Sequence, residues 1–241
     1  MVSKKSKDTV KTDKEVQDWI AKYYPKRYSG TGFLYHSRIV NTMLQDITMK
    51  QKVLDVGCGI GFVSQLYPNF NITGIDISEE MLKRNPFKWQ NMDAEAMSFK
   101  DESFNLVVCR SLLHHLEVPQ KGMNEMARVL KTGGNWVCWE TNNSIITNIF
   151  RAAAKHTDRF SHLHRNFNIH ELEFLIKASG LTITEVRYIG YLAYPLIAFP
   201  DIININLPIE AGKFLMNVDD IISKTPLRRL AWSVLIRAQK K

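Results

Sequence analysis

Short apolar runs alternate with stretches of helical periodicity through the middle of this chain. The apolar runs predict five strands, at residues 53–57, 72–76, 87–91, 104–109 and 136–139. The stretches between them place apolar residues on one face, as amphipathic helices do. Repeated β-then-α units of this kind predict an α/β fold with a parallel, doubly wound sheet and right-handed crossovers.

The pattern loosens after residue 140, where two more strands are predicted, at residues 181–188 and 231–238. Asn168 followed by Glu171 predicts a capping box that opens a helix before the sixth strand. Between the two strands lies an insertion, at about 189–226, with an apolar run and an amphipathic helix. We expect one face of that helix to roof an apolar pocket, and five residues form this face: Phe214, Leu215, Val218, Ile221 and Ile222.

Length and composition place these elements in one main domain. The 241 residues are enough for one α/β domain at 31–241, preceded by a basic tail with a lid helix and loop at 1–30. The formal charge of +8 gathers largely at the two ends. That excess is interpreted either as solvated tails or as attraction to an anionic membrane surface, RNA or an acidic substrate.

The three cysteines have neither the number nor the spacing of a disulfide framework or a zinc site, and no metal is expected. No apolar run approaches the roughly 20 residues that span a bilayer. The predicted location is therefore cytoplasmic, or peripheral at a membrane.

A glycine-rich turn follows the first strand, in the stretch Val53–Gly61 that reads VLDVGCGIG. Glycines at alternate positions permit backbone angles that other residues avoid, and they let a ligand approach the main chain without meeting a Cβ atom. A strand, such a turn and a helix form a cradle for a nucleotide-like ligand at the carboxyl edge of a parallel sheet.

Acidic residues close three successive strands at the same edge. Asp76 can accept hydrogen bonds from both hydroxyls of a ribose, and Asp93 can accept from an adenine amino group while the Ala94 amide donates to a ring nitrogen. Asp55, beneath the glycine turn, can hold an ammonium group. For Asp76 alone, a helix cap or a surface acid is an equal alternative.

The chain resembles the class I S-adenosylmethionine (SAM)-dependent methyltransferases, in the branch of the ubiquinone and menaquinone C-methyltransferases and many small-molecule enzymes. The segments that carry the resemblance are VLDVGCGIG (53–61), ITGIDIS (72–78), NMDAEAMSF (91–99), SFNLVVCRSLLHHL (103–116) and ARVLKTGG (127–134). It implies a seven-stranded Rossmann-like sheet with a reversed last strand beside the sixth. The chain departs from the family at Thr132, where proline is usual, and in the insertion between the last two strands.

The resemblance also implies the cofactor SAM and the residues that bind it. Gly57 and Gly59 would flank its methionine part, Asp76 its ribose, and Asp93 with Ala94 its adenine. Four further residues complete the expected cofactor set: Asp55, Cys58, Ile77 and Arg110.

Methyl transfer to an oxygen or carbon acid also needs a base. His114 and His115 follow the fourth strand, where the acceptor would meet the methyl group, and a neutral imidazole suits the task. The alternative is that either histidine packs beneath the fold or caps a helix. Tyr28, Ser111 and His164 are the residues expected to contact the acceptor.

We expect a small, partly apolar acceptor, such as a quinone precursor, a lipid or a natural product, together with loose contact to a membrane. The alternatives are a tRNA or RNA methyltransferase and, from other classes, a non-catalytic SAM-binding protein or an NAD-dependent oxidoreductase. Nucleic acid is disfavoured because no aromatic-interleaved basic patch is present. The GxGxG spacing, unlike GxGxxG, disfavours NAD. The motifs leave the methylated atom and the oligomeric state open.

Overall fold

A seven-stranded mixed sheet forms the centre of the protein, in a computed structural model that describes residues 27–148, 167–198 and 207–241. Its strands are β1 Lys52–Val56, β2 Asn71–Asp76, β3 Trp89–Asn91, β4 Phe104–Arg110, β5 Leu130–Thr141, β6 Leu181–Ile189 and β7 Ser233–Lys240. The order across the sheet is β3-β2-β1-β4-β5-β7-β6, and β7 runs antiparallel to both of its neighbours. The predicted α/β fold with a reversed last strand is confirmed.

Helices cover both faces of this sheet. They are α1 Gly30–Met43, α2 Phe62–Leu66, α3 Glu79–Leu82, α4 Pro119–Val129, α5 Ile169–Ala178, α6 Ala193–Ile197 and α7 Ile209–Ser223, with 3-10 turns at Leu113–His115 and Pro226–Leu230. The predicted capping box at Asn168 and Glu171 opens α5. Within the described ranges, every helix is too short or too polar to cross a bilayer.

Two apolar cores lie on opposite faces of the sheet, because successive side chains of a strand point to opposite sides. Leu54 of β1 packs in the core with α4 and α5, whereas Val53 packs in the other core with α1 and α6. Parallel strands buried on both faces need near-continuous apolar sequence, and the central runs supply it. The carboxyl edge of the sheet is thereby held rigidly from both sides.

Two local predictions are wrong. The pair Gly133-Gly134 follows the fourth helical stretch of the sequence and predicts the end of that helix there, but the helix ends at Val129 and the glycines lie inside β5. Leu130 already pairs with Phe104, and the register between the two strands shifts before Asn135 pairs with Leu106. Pairing with β4 therefore begins at Leu130, three residues before Gly133.

The inward face predicted for α7 is also wrong. Phe214 and Ile221 are 67% and 66% exposed, whereas Gly212, Met216 and Asp219 are buried. The Asp219 carboxylate accepts hydrogen bonds from the backbone N–H groups of residues 191–193, which cap α6. This polar anchor fixes the Asp219 side of the helix against α6, so that Phe214 and Ile221 face outward, whereas Leu215 of the predicted face packs against the core. Most of the predicted tail and lid (1–26), His164 and residues 199–206 of the insertion lie outside the described residues.

Candidate active site

The glycine turn after β1 adopts backbone angles that favour glycine. Gly57, Gly59 and Gly61 have φ of 74°, 52° and 82°, in the left-handed region. The backbone N–H groups of Gly57 and Cys58 both donate to the carbonyl of Ile75, at 2.8 and 2.9 Å, and tie the turn to β2. A Cβ atom on Gly57 would come within 3.0 Å of the Leu112 side chain. The turn therefore brings bare backbone to the carboxyl edge of the sheet.

Cys58 contributes backbone rather than thiol chemistry to this turn. Its Sγ accepts a hydrogen bond from Asn85 Nδ2 at 3.6 Å and packs where a Cβ atom on Gly74 would stand. Burial, with the neighbouring Asp55 and Asp76 charges, raises the pKa of the thiol far above its usual value. It stays a neutral packing group.

Asp55 is a buried acid at the carboxyl edge of β1, only 1% exposed. Among the described residues, neither of its carboxylate oxygens has a hydrogen-bond partner. Burial raises its pKa to about 6, opposed by the Arg110 charge and reinforced by Asp76. An ionised carboxylate in such a position needs a donor that these residues do not supply, and an ammonium group meets that need.

Asp76, at the end of β2, holds the glycine turn in place. Its Oδ2 accepts from the Gly59 N–H at 2.8 Å and its Oδ1 accepts from the Ser78 N–H at 2.9 Å. Burial raises the pKa of this carboxyl, although these backbone hydrogen bonds counteract it. A carboxylate has about four acceptor sites, so two remain available for the hydroxyls of a sugar.

The next strand end completes this edge of the sheet. Asp93 is exposed, and its Oδ1 accepts from the Glu95 N–H at 2.8 Å, which shapes the turn after β3. Ala94 is buried behind it, and Ile77 presents an exposed apolar side chain directly after Asp76. The structure thus brings the predicted acids, the glycines and one apolar residue to the ends of β1, β2 and β3.

His114 forms a buried hydrogen-bonded pair with an acid that the sequence analysis missed. It is 3% exposed, and its Nδ1 contacts Oε1 of Glu140, the buried acid near the end of β5. Glu140 also accepts from the backbone N–H groups of Leu113 (2.9 Å) and Thr141 (2.7 Å). Burial would raise the pKa of this carboxyl, but His114 and these donors outweigh it and lower the pKa.

The signal for Glu140 is present in the sequence. An acid ends the apolar run Trp136–Trp139, as Asp76 ends the second strand. Its pairing with His114 depends on β4 and β5 being neighbours, with Arg110 opposite Trp139.

His115 occupies a different place from His114. It is half-buried, its ring lies 4.1 Å from that of His114, and it interacts electrostatically with both Asp76 and Glu140. The two histidines therefore stand between the β2 edge and the β5 edge of the site.

An aromatic and basic cluster stands beside the glycine turn. The Tyr28 ring stacks on Phe62 with centroids 4.0 Å apart, and the Arg110 guanidinium lies 5.5 Å from the Phe62 centroid. Arg110 Nη2 also lies 3.5 Å from the Tyr28 hydroxyl. Cations are attracted to aromatic faces at such distances. Of the residues predicted for the acceptor, Tyr28 is therefore placed next to Arg110.

Ser111 follows Arg110 in a strained conformation, with φ of 50°. Its N–H donates to the carbonyl of Trp139 at 2.7 Å, which holds the strand end against β5. Non-glycine residues in this region are uncommon and gather at functional sites. The strain turns the chain sharply into the segment that carries both histidines.

Within the described residues, no three histidine, cysteine, aspartate or glutamate side chains are grouped as metal ligands.

Comparison with known proteins relates the chain to methyltransferases in sequence and in fold. Residues 54–138 match the family model of a methyltransferase domain. The structure superposes on a [4+2]-cyclase with a TM-score of 0.69 (16% identity, covering 96% of this chain and 98% of that one). It also superposes on a Haemonchus contortus phosphoethanolamine N-methyltransferase in complex with S-adenosylhomocysteine (SAH), with a TM-score of 0.68 (18% identity, covering 96% and 60%). These likenesses show the fold, which is that of the class I SAM-dependent methyltransferases.

Particular relatives are similar over part of the chain. An uncharacterised protein of Methanocaldococcus jannaschii is 32% identical over 135 residues, covering 52% of this chain and 60% of the relative. A phosphatidylethanolamine N-methyltransferase of Cereibacter sphaeroides is 39% identical over 98 residues (36% and 48%). A ubiquinone biosynthesis O-methyltransferase of Coxiella burnetii is 32% identical over 102 residues (37% and 44%).

The chain spans about half the length of the curated relatives it matches. The predicted methyltransferase domain is confirmed over residues 54–138, and the phosphoethanolamine N-methyltransferase of the same fold is solved with SAH. The narrower likeness to the ubiquinone and menaquinone branch stays a prediction.

Proposed function

We propose that this protein transfers a methyl group from SAM to a small, partly apolar acceptor. The observation that carries the proposal is Asp55, a buried carboxylate without a hydrogen-bond donor among the described residues, directly beneath the glycine turn. The methionine part of SAM carries an ammonium group, so the cofactor fits what this site lacks. An NAD molecule carries no such group.

Each neighbouring residue has a definite part in holding the cofactor. The backbone of Gly57 and Gly59 lies against the methionine part, Asp76 accepts from the ribose hydroxyls, and Asp93 with Ala94 meets the adenine. Ile77 offers an apolar surface to the adenine ring. When bound, SAM supplies an electrophilic methyl group, and the protein has to orient the acceptor and exclude water. Orientation alone can contribute about 7–11 kcal/mol.

His114 is the residue we propose as the general base. Glu140 lies at its Nδ1, which favours the tautomer that has its proton there and leaves Nε2 as the proton acceptor. A proton taken from the acceptor would then make an imidazolium beside a carboxylate, in a buried site where that attraction is strong. His115 interacts electrostatically with Asp76, and we assign it to the cofactor side.

The apolar acceptor is supported by the surroundings of the cleft. Tyr28 lies on one side, stacked on the fully buried Phe62, and Arg110 provides a cation that suits an anionic group on the acceptor or the cofactor carboxylate. Two relatives are named as a phosphatidylethanolamine N-methyltransferase and a ubiquinone biosynthesis O-methyltransferase. Phospholipids and quinones are both partly apolar molecules.

The test is transfer of a labelled methyl group from SAM to a panel of acceptors, comprising quinone precursors, phospholipid head groups and highly polar metabolites. We expect an apolar or lipid-like member to be methylated, and His114→Asn to abolish the reaction on oxygen or carbon while SAH still binds. Methylation of a strongly polar acceptor alone would overturn the proposed substrate class.

A further inference from the structure

An apolar stripe runs along the outer face of α7. Phe214, Val218 and Ile221 are spaced four and three residues apart, so their side chains share one helix face. Phe214 and Ile221 are about two-thirds exposed, and Leu227 in the following 3-10 turn is also exposed. We call these four residues the α7 stripe. Contiguous exposed apolar side chains of this size mark an interaction surface.

Basic residues border the α7 stripe. Four exposed positions carry positive charge: Lys213 on the helix, Lys224 at its C-cap, and Arg228 and Arg229 in the turn that follows. An apolar strip with a basic border is the pattern of a helix that lies in the plane of a membrane interface.

The acids of α7 do not cancel this charge. Glu210 pairs with Lys213 at 2.8 Å, and Asp220 pairs with Arg38 of α1 at 2.6 Å. Asp219 is buried on the opposite, inner face of α7. Three cations thus remain beside the stripe after these pairings, and the surface attracts anions.

The α7 stripe is joined to the cleft through α1. Gly212 lets α7 approach so closely that a Cβ atom there would stand 3.0 Å from the Thr31 side chain, and the Arg38–Asp220 pair fixes the same contact. The chain just before α1 carries Tyr28, which stacks beside Arg110 at the site. A surface bound by the α7 stripe would therefore lie on the layer that flanks the cleft.

We propose that the α7 stripe docks this protein onto an anionic lipid surface, with Phe214 and Ile221 entering the interface and the bordering cations meeting anionic head groups. Apolar burial and charge attraction act together at such interfaces, so neutral lipid should bind more weakly than anionic lipid. Salt should weaken the charge part and leave the apolar part.

The experiment is sedimentation of the full chain with phosphatidylcholine vesicles that contain, or lack, phosphatidylglycerol. We expect binding to the anionic vesicles, and a loss of roughly tenfold or more in the Phe214→Ser/Ile221→Ser variant. Phe174→Ser is the matched control, because Phe174 is equally exposed, at 70%, but lies on α5. Lys224→Glu/Arg228→Glu tests the charge, and should weaken binding to anionic vesicles only.

Equal binding of the stripe variant and the wild type would overturn the proposal. The proposal would also be overturned if the stripe variant were monomeric where the wild type is dimeric, with vesicle binding unchanged. The stripe would then join two copies of the chain. SAH titrations of the same variants keep the failure of this proposal distinct from failure of the proposed methyl transfer, since the stripe lies outside the cofactor site.

Discussion

Asp55 shows at the scale of one residue how stability and function oppose each other. Its carboxyl is buried without a donor among the described residues, and its pKa is raised to about 6. The folded state therefore retains this proton to a higher pH than the unfolded state does. As pH rises from about 4 to about 6, the unliganded protein loses stability through this group.

Asp55→Asn should remove that loss. We expect the free energy of unfolding of the unliganded variant at pH 7.5 to exceed that of the wild type by about 1–3 kcal/mol, with a difference that shrinks towards pH 4. Urea unfolding at several pH values measures it. A variant less stable than the wild type at pH 7.5 would contradict the assigned environment of Asp55.

The same carboxyl should make cofactor binding depend on pH. Below about pH 6 the ammonium of SAH must displace the Asp55 proton, so affinity should fall by up to roughly tenfold for each further pH unit. Calorimetry from pH 5 to 8 tests this for the wild type. In Asp55→Asn the affinity for SAH should be low and nearly independent of pH. If the affinity of that variant fell with decreasing pH as steeply as that of the wild type, Asp55 would be excluded as the titrating group.

Glu140 is expected to set the state of His114. Glu140→Gln keeps the side-chain size but removes the charge, so the imidazole should become harder to protonate and lose its strong preference for a proton on Nδ1. Nitrogen NMR of the histidine rings reads the tautomer directly, without an acceptor. Identical tautomers and titration curves in variant and wild type would show that the pair does not position the ring.

At the scale of elements, the close contact of α7 with α1 depends on Gly212. Gly212→Val should push the helices apart and cost about 1–3 kcal/mol of stability, because a side chain there meets Thr31. Ala211→Val is the matched control, since it adds the same β-branched residue to the same helix at a less buried position. Equal losses in the two variants would attribute the effect to helix propensity.

The strands, and the gathering of the acids and glycines at one edge of the sheet, could be predicted because each depends on local sequence. Apolar runs gave the strands, and the acids Asp76 and Asp93 follow their strands directly. The orientation of α7 could not be predicted, because Asp219 caps α6 across the insertion and overrides the apolar pattern of the helix. The His114–Glu140 pair likewise required the neighbourhood of β4 and β5, which no local pattern carries.

At the scale of the whole molecule, the two halves of the sheet carry different groups at their carboxyl edge. The ends of β1 to β3 carry the groups that fit SAM, whereas we propose that β4, β5 and α1 surround the acceptor. A [4+2]-cyclase has the same fold, so the fold alone leaves the chemistry of the second half open. Under the proposed function, Arg110, Tyr28 and the histidine pair, rather than the sheet, decide which acceptor is used.

The cofactor assignment is the central claim, and calorimetric titration with SAH and with NAD tests it most directly. We expect SAH to bind, NAD to show no binding, and Asp76→Ala to weaken SAH by at least roughly tenfold, since the hydrogen bonds to the ribose and the anchor of Gly59 are lost together. Binding of NAD in place of SAH, or an Asp76→Ala variant that binds SAH as tightly as the wild type, would contradict it.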